Sequence, residues 1–71
     1  VYLMRYFLAT NLDTEQVDYV LRRSDQLGLE VWNSTKSGWF SVEFMWESVV
    51  TEPRYSEVSE EVAFSEIKKG V

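Results

Sequence analysis

The sequence contains no histidine and no cysteine, so it lacks the commonest general base and the commonest soft nucleophile. Carboxylates are the side chains left for acid–base chemistry. A hydrolytic pair of carboxylates needs a dry cleft that raises the pKa of one member, and no acidic pair in this sequence is set among apolar residues. We therefore expect a protein that is not an enzyme and that needs no cofactor.

Three glutamates have the spacing of a ridge along a helix. Glu57, Glu60 and Glu61 stand at i, i+3 and i+4, so a helix would place them on one face, where they could hold a hard cation weakly. A solvated helix face is the better interpretation, because the sequence has neither an Asp-rich calcium loop nor a glycine-rich phosphate loop. We expect no metal site.

Acidic and aromatic residues occur together in the second half of the chain. The acidic run consists of Glu43, Glu47, Glu52, Glu57, Glu60, Glu61 and Glu66. Carboxylates spread over a small rigid domain can imitate the phosphate spacing of a nucleic acid, and neighbouring aromatic side chains can anchor a partner. The net charge of −5 disfavours direct binding of DNA or RNA, which requires Lys and Arg. A basic protein partner is the better match.

The apolar pattern predicts the elements that position these side chains. The predicted order is a strand at residues 2–9, a helix at 14–27, strands at 29–33 and 39–50 around a hairpin turn at 34–38, and a helix at 56–69. Asp13 is suited to cap the first helix, and Gly28 is suited to end it in a left-handed conformation. The stripe of the second helix is irregular at Phe64, which leaves open a break near Val62 or a fourth strand at residues 62–67.

This order of elements predicts an α+β fold. With 71 residues we expect one domain, residues 1–71, built on a three-stranded mixed sheet with both helices on one face. The arrangement resembles the first elements of a ferredoxin-like sandwich, a fold that serves many unrelated functions.

Alternation along residues 39–46 divides the third strand into two faces. Phe40, Val42, Phe44 and Trp46 should lie under the helices, so Phe44→Ala should cost roughly 3 to 5 kcal/mol. The other face of the sheet should be open and should carry a large apolar patch, which is typical of an interface. The predicted partner-binding residues are Phe7, Trp32, Trp39, Glu43, Met45, Glu47, Glu57, Glu60 and Glu61.

These features favour a small acidic protein-binding module. The sharper hypothesis is an inhibitor, from a virus or mobile element, of a basic host protein that handles nucleic acid. The alternative is a self-associating regulatory module, a homodimer that binds a small ligand between stacked sheets. The sequence has no apolar segment of the roughly 18 residues typical of a membrane span and no secretion signal, so we expect a soluble cytoplasmic protein.

Overall fold

The computed structural model describes residues 3–71. The strands are β1 Arg5–Thr10, β2 Val17–Ser24, β3 Gly28–Asn33, β4 Gly38–Ser41 and β5 Tyr55–Val58; the helices are α1 Trp46–Thr51 and α2 Glu60–Lys68. A short 3₁₀ helix, Glu43–Met45, lies between β4 and α1. The α+β class is confirmed, with five strands in place of the predicted three. Tyr2, where the first strand was predicted to begin, lies outside the described residues.

All five strands form one antiparallel sheet in the order β4-β3-β2-β1-β5. Strands β1 to β4 form a meander in which each strand pairs with the next one in sequence, and β5 pairs with the free side of β1. The predicted parallel pair and the ferredoxin-like arrangement are wrong. Parallel strands need a crossover, usually a helix, and here the chain between β1 and β3 is itself a strand.

Strand β2 occupies the segment for which the sequence predicted a helix. Consecutive residues Val20 and Leu21 are both fully buried, on opposite faces of the sheet. A strand packed on both faces loses the alternation of apolar and polar residues. The spacing of Val17, Val20 and Leu21 therefore imitates the stripe of a helix.

The turns at the two ends of β2 also differ from the predicted helix ends. Asn11, not Asp13, organises the first turn, because its side-chain oxygen accepts hydrogen bonds from the backbone N–H groups of Asp13 and Thr14 at 2.9 and 3.2 Å. Gly28 has the predicted left-handed conformation, with φ of +69°. It follows the turn of the β2–β3 hairpin instead of ending a helix.

The predicted third strand ends at Ser41. Val42 has ψ of 39°, outside the extended region, and the chain then forms the 3₁₀ helix and α1. Phe44 is 86% exposed and Phe40 is 43% exposed, so their predicted burial is wrong. Val42 and Trp46 do pack against the core. The large cost predicted for Phe44→Ala has no basis in this structure.

The C-terminal segment divides into β5 and α2. Ser59 caps α2, since its side chain accepts a hydrogen bond from the backbone N–H of Val62 at 3.2 Å. Phe64 and Ile67 pack with Ala63 against the core, whereas Val62 is 43% exposed and Val58 belongs to β5, which explains why Phe64 did not fit a stripe drawn through Val58 and Val62. Helix α2 continues without a break through Val62, and the alternative of a strand at residues 62–67 is wrong.

Helices lie on both faces of the sheet, and each covers a separate core cluster. On the α1 side the buried residues are Phe7, Ala9, Leu21, Leu29, Val49 and Tyr55. On the α2 side they are Tyr6, Leu8, Val20 and Ala63. The prediction that both helices share one face and leave the other open is therefore wrong. The alternative hypothesis, a homodimer that binds a small ligand between two stacked sheets, required an open sheet face, and here each face carries a helix.

Candidate functional site

The residues predicted to bind a partner do not lie on one surface. Phe7, Glu43, Met45, Glu47 and Glu57 lie on the α1 side of the sheet, whereas Trp32, Trp39, Glu60 and Glu61 lie on the α2 side. The sheet separates the two groups. They cannot together contact one small epitope.

The apolar members on the α1 side belong to the core. Phe7 is only 5% exposed, and Met45 packs against the same cluster. The Phe7 ring meets the ring of Trp46 edge-on at 5.7 Å between centroids. Phe7 is thus covered by Trp46 of α1, and Met45 is a partly buried member of the same packing.

The two tryptophans form a half-buried pair on the α2 side. Trp32 on β3 and Trp39 on β4 are opposite each other, with ring centroids 5.4 Å apart. The Arg22 guanidinium lies 4.2 Å from the centroid of the Trp39 ring, and Arg22 Nε donates to Glu30 Oε1 at 2.9 Å. The tryptophan pair therefore already has a cation beside it, which Arg22 of the same chain supplies.

Two of the predicted acidic contact residues already have partners within the chain. Arg5 donates from Nε and Nη2 to the two carboxylate oxygens of Glu57, each at 3.0 Å, and this pairing lowers the pKa of Glu57. Glu43 accepts from the backbone N–H of Leu29 at 3.1 Å and from Arg23 Nη2 at 3.5 Å. Both carboxylates are therefore engaged by groups of the chain itself on the α1 side.

Within residues 3–71, most of the basic side chains but fewer than half of the acidic side chains form ion pairs. Five pairs join Arg5 to Glu57, Arg22 to Glu30, Arg23 to Glu43, Arg54 to Glu52 and Lys69 to Glu66. The remaining seven of the 12 acids have no ion-pair partner within residues 3–71: Asp13, Glu15, Asp18, Asp25, Glu47, Glu60 and Glu61. The surface charge available to a partner is therefore strongly negative.

An exposed aromatic residue lies among acids on the outward side of the 3₁₀ helix and α1. We call this the Phe44 surface and define it as Glu43, Phe44, Glu47 and Val50. These four residues are exposed, whereas Met45, Trp46 and Val49 between them pack against the core. Phe44 is 86% exposed and Val50 is 56% exposed. Sequence reasoning missed Phe44 because it continued the strand alternation past Ser41; the i, i+4 spacing of Glu43 and Glu47 was the available helical signal.

A tyrosine pair at the other end of the sheet has a structural role. The hydroxyls of Tyr19 and Tyr55 are 2.6 Å apart, and Arg54 Nη2 donates to them at 3.4 and 3.0 Å. Burial, together with the hydrogen bond to Tyr55, raises the pKa of Tyr19 to about 12. Tyr19 is therefore protonated at neutral pH and cannot act as a base. The cluster ties β5 to β2 across β1.

Two features of residues 3–71 bear on metal and small-molecule binding. Within residues 3–71 no three acidic side chains come together as metal ligands. Glu57 lies on β5 while Glu60 and Glu61 lie on α2, so the predicted helical ridge of three acids does not form. A shallow depression is lined by Ser59, Glu60, Glu61, Phe64, Ser65 and Lys68. All of these residues come from α2 and its cap, so the depression is a helix surface and not a cleft between elements.

Comparisons with protein families, curated proteins and solved structures gave no match to this chain. In the described part of the chain no helix has the length and apolar character needed to cross a membrane.

Proposed function

We propose that this protein is a binding module that recognises a basic protein through the Phe44 surface. The observation that carries the proposal is the 86% exposure of Phe44 between Glu43 and Glu47. Burying a phenylalanine side chain stabilises a complex by roughly 1.5 to 3 kcal/mol. With Val50, 56% exposed on the same surface, Phe44 offers a partner apolar area bordered by acids.

The charge distribution supports a basic partner. Glu47 has no ion-pair partner within the described residues, and the other unpaired acids surround the molecule with negative potential. Exposed carboxylates contribute little affinity on their own, but they select the partner and accelerate its approach. In this proposal Phe44 supplies most of the affinity and the acids supply the selectivity.

The partner class we propose is a protein that handles nucleic acid. Surfaces that bind single strands combine basic grooves with aromatic stacking platforms. The Phe44 surface presents the complementary chemistry, a ring beside carboxylates. Occupation of such a groove would inhibit the partner by excluding its nucleic acid.

The first experiment separates binding from folding. Wild type and Phe44→Ser serve as matched baits, and a basic protein that the wild type captures and the variant does not is purified for titration calorimetry. We expect Phe44→Ser to weaken binding at least about tenfold, as truncation of an anchor does, while its melting temperature stays unchanged. Equal affinity of the two forms for every captured protein would contradict the proposal.

A charge-reversal pair tests the location of the surface. Glu47→Lys and Glu61→Lys make the same change in net charge, on the α1 side and on the α2 side respectively. We expect Glu47→Lys to weaken binding far more, and we expect wild-type affinity to fall between about 0.05 and 0.2 M salt. Equal effects of the two reversals would place the contact elsewhere. Failure of the wild type to displace nucleic acid from the purified partner would remove the inhibitor role.

A further inference from the structure

The two edge strands of the sheet differ in their protection against pairing with another chain. Strand β5 carries the charged Glu57 and follows Pro53 closely, and both features discourage the addition of a strand. Strand β4, Gly38–Ser41, has neither a charge nor a proline, and it carries Trp39 and the half-exposed Phe40. An edge of this composition is a template for strand addition.

The backbone pattern shows which groups of β4 are free to bond. Val42 N–H donates to the Leu29 carbonyl at 2.8 Å, so this N–H points towards β3, whereas the Val42 carbonyl accepts from the Met45 N–H in the following turn. Phe40, two residues earlier and opposite Val31, points the same way. The N–H and C=O groups of Trp39 and Ser41 therefore point away from β3, along the free edge.

We infer that β4 pairs with β4 of a second copy, antiparallel, about a two-fold axis through Phe40. In this register Trp39 of each copy lies opposite Ser41 of the other, and each such pair exchanges both of its backbone hydrogen bonds. Phe40 then faces its own counterpart at the position where opposing side chains are closest. Two five-stranded sheets become one continuous sheet, independently of the Phe44 surface.

The symmetry explains why a second copy fits this edge. A two-fold axis perpendicular to the sheet keeps each face on its own side, so paired residues must come from the same face. Trp39 and Ser41 share a face, and Phe40 pairs with itself, whereas a shift of one residue would oppose residues from different faces. The strand contains no acid, so two copies with a net charge of −5 do not place like charges directly opposite each other. The edge is short, so the dimer should be weak and dependent on concentration.

Disulfide crosslinking tests the register, because the chain has no cysteine of its own. The Cα atoms of Phe40 and its counterpart should be about 4.5 Å apart, within the range of about 4.4 to 6.8 Å that a disulfide spans. The Cα atoms of Ser41 and its counterpart should be more than about 7 Å apart, too far for a disulfide. Under mild oxidation we expect Phe40→Cys to form a covalent dimer at least about tenfold faster than the matched control Ser41→Cys.

Sedimentation of the protein without cysteine substitutions gives an independent measurement of self-association. Wild type should show a reversible rise in mean mass with concentration. Ser41→Pro, which removes an outward N–H and leaves the bonds to β3 intact, should abolish that rise without unfolding the domain. Equal crosslinking rates for the two cysteine variants, or a wild type that stays monomeric at every concentration, would overturn the inference.

Discussion

Glu43 connects the α1 side of the molecule to the β2–β3 hairpin through one carboxylate. It accepts a hydrogen bond from the Leu29 backbone and approaches Arg23. Gly28 leaves the necessary space, since a Cβ at that position would lie 3.3 Å from the Glu43 carboxyl group. Glu43 is also a member of the Phe44 surface, so the hydrogen bond to Leu29 attaches that surface to the β2–β3 hairpin.

Replacing Glu43 should therefore cost stability, whereas replacing its neighbour Glu47 should not. Glu43→Ala leaves the Leu29 N–H without its acceptor, and we expect the free energy of unfolding to fall by about 1 to 3 kcal/mol. Glu47→Ala removes an acid that makes no such bond and should change it by less than about 0.5 kcal/mol. Urea unfolding of the two variants measures the difference. Similar values would show that the Glu43 contact contributes nothing to stability.

Tyr19 gives the fold a defined response to alkaline pH. Its pKa, raised to about 12 by burial and by the hydrogen bond to Tyr55, lies above the value of 10.0 for a free tyrosine. The folded state therefore binds the Tyr19 proton more tightly than the unfolded state does. The contribution of Tyr19 to the free energy of unfolding is complete below pH 10 and is lost as the pH rises towards 12. Unfolding measured across that range should show a steeper decline for wild type than for Tyr19→Phe. Parallel declines would contradict this assignment.

At the scale of elements, prediction from the sequence worked where a segment is a short apolar run or has clear ends. Strand β1, strand β3 and the end of α2 near Lys68 were predicted close to their observed positions. Strand β2 was not, because helices cover both faces of the sheet and its apolar residues lose the two-residue period. Valine and tyrosine are common in strands, and Val17, Tyr19 and Val20 were the signal that should have counted against a helix.

The candidate surface was only partly predictable for a related reason. The sequence identified the acidic and aromatic segment around residues 39–47, and Glu43 and Glu47 remain part of the Phe44 surface. The sequence did not show which way the side chains after Ser41 point, because neither glycine nor proline marks the change from strand to helix there. After the helical turn begins, side chains no longer alternate between two faces. Phe44, which the alternation assigned to the core, therefore faces solvent.

At the scale of the whole molecule, one sheet supports two thin cores. Helix α1 has only six residues and α2 has nine, lengths at which isolated helices are unstable in water. Each helix therefore depends on the sheet face that it covers, and the sheet depends on both helices to bury its apolar residues. This mutual dependence explains how so short a chain holds five strands without a disulfide.

The order β4-β3-β2-β1-β5 also gives the molecule a sequence of folding events. Strands β1 to β4 join through short hairpins, whereas contacts of β5 with β1 link residues as distant as Arg5 and Glu57, 52 positions apart. Local pairs close at the smaller entropic cost, so the meander should form first and β5 with α2 should dock last.

The unit formed by β5 and α2 should also be the first to open in the native state. Its opening would expose Tyr6, Leu8 and Val20, and it would leave the backbone groups of β1 along that edge unpaired. Native-state hydrogen exchange should find the hydrogen-bonded amides of β5 and α2 less protected than those of β2. Equal protection across the two groups would show that the domain opens only as a whole. A transient opening of this kind would replace the edge at β5 with a new strand edge at β1 for a short fraction of the time.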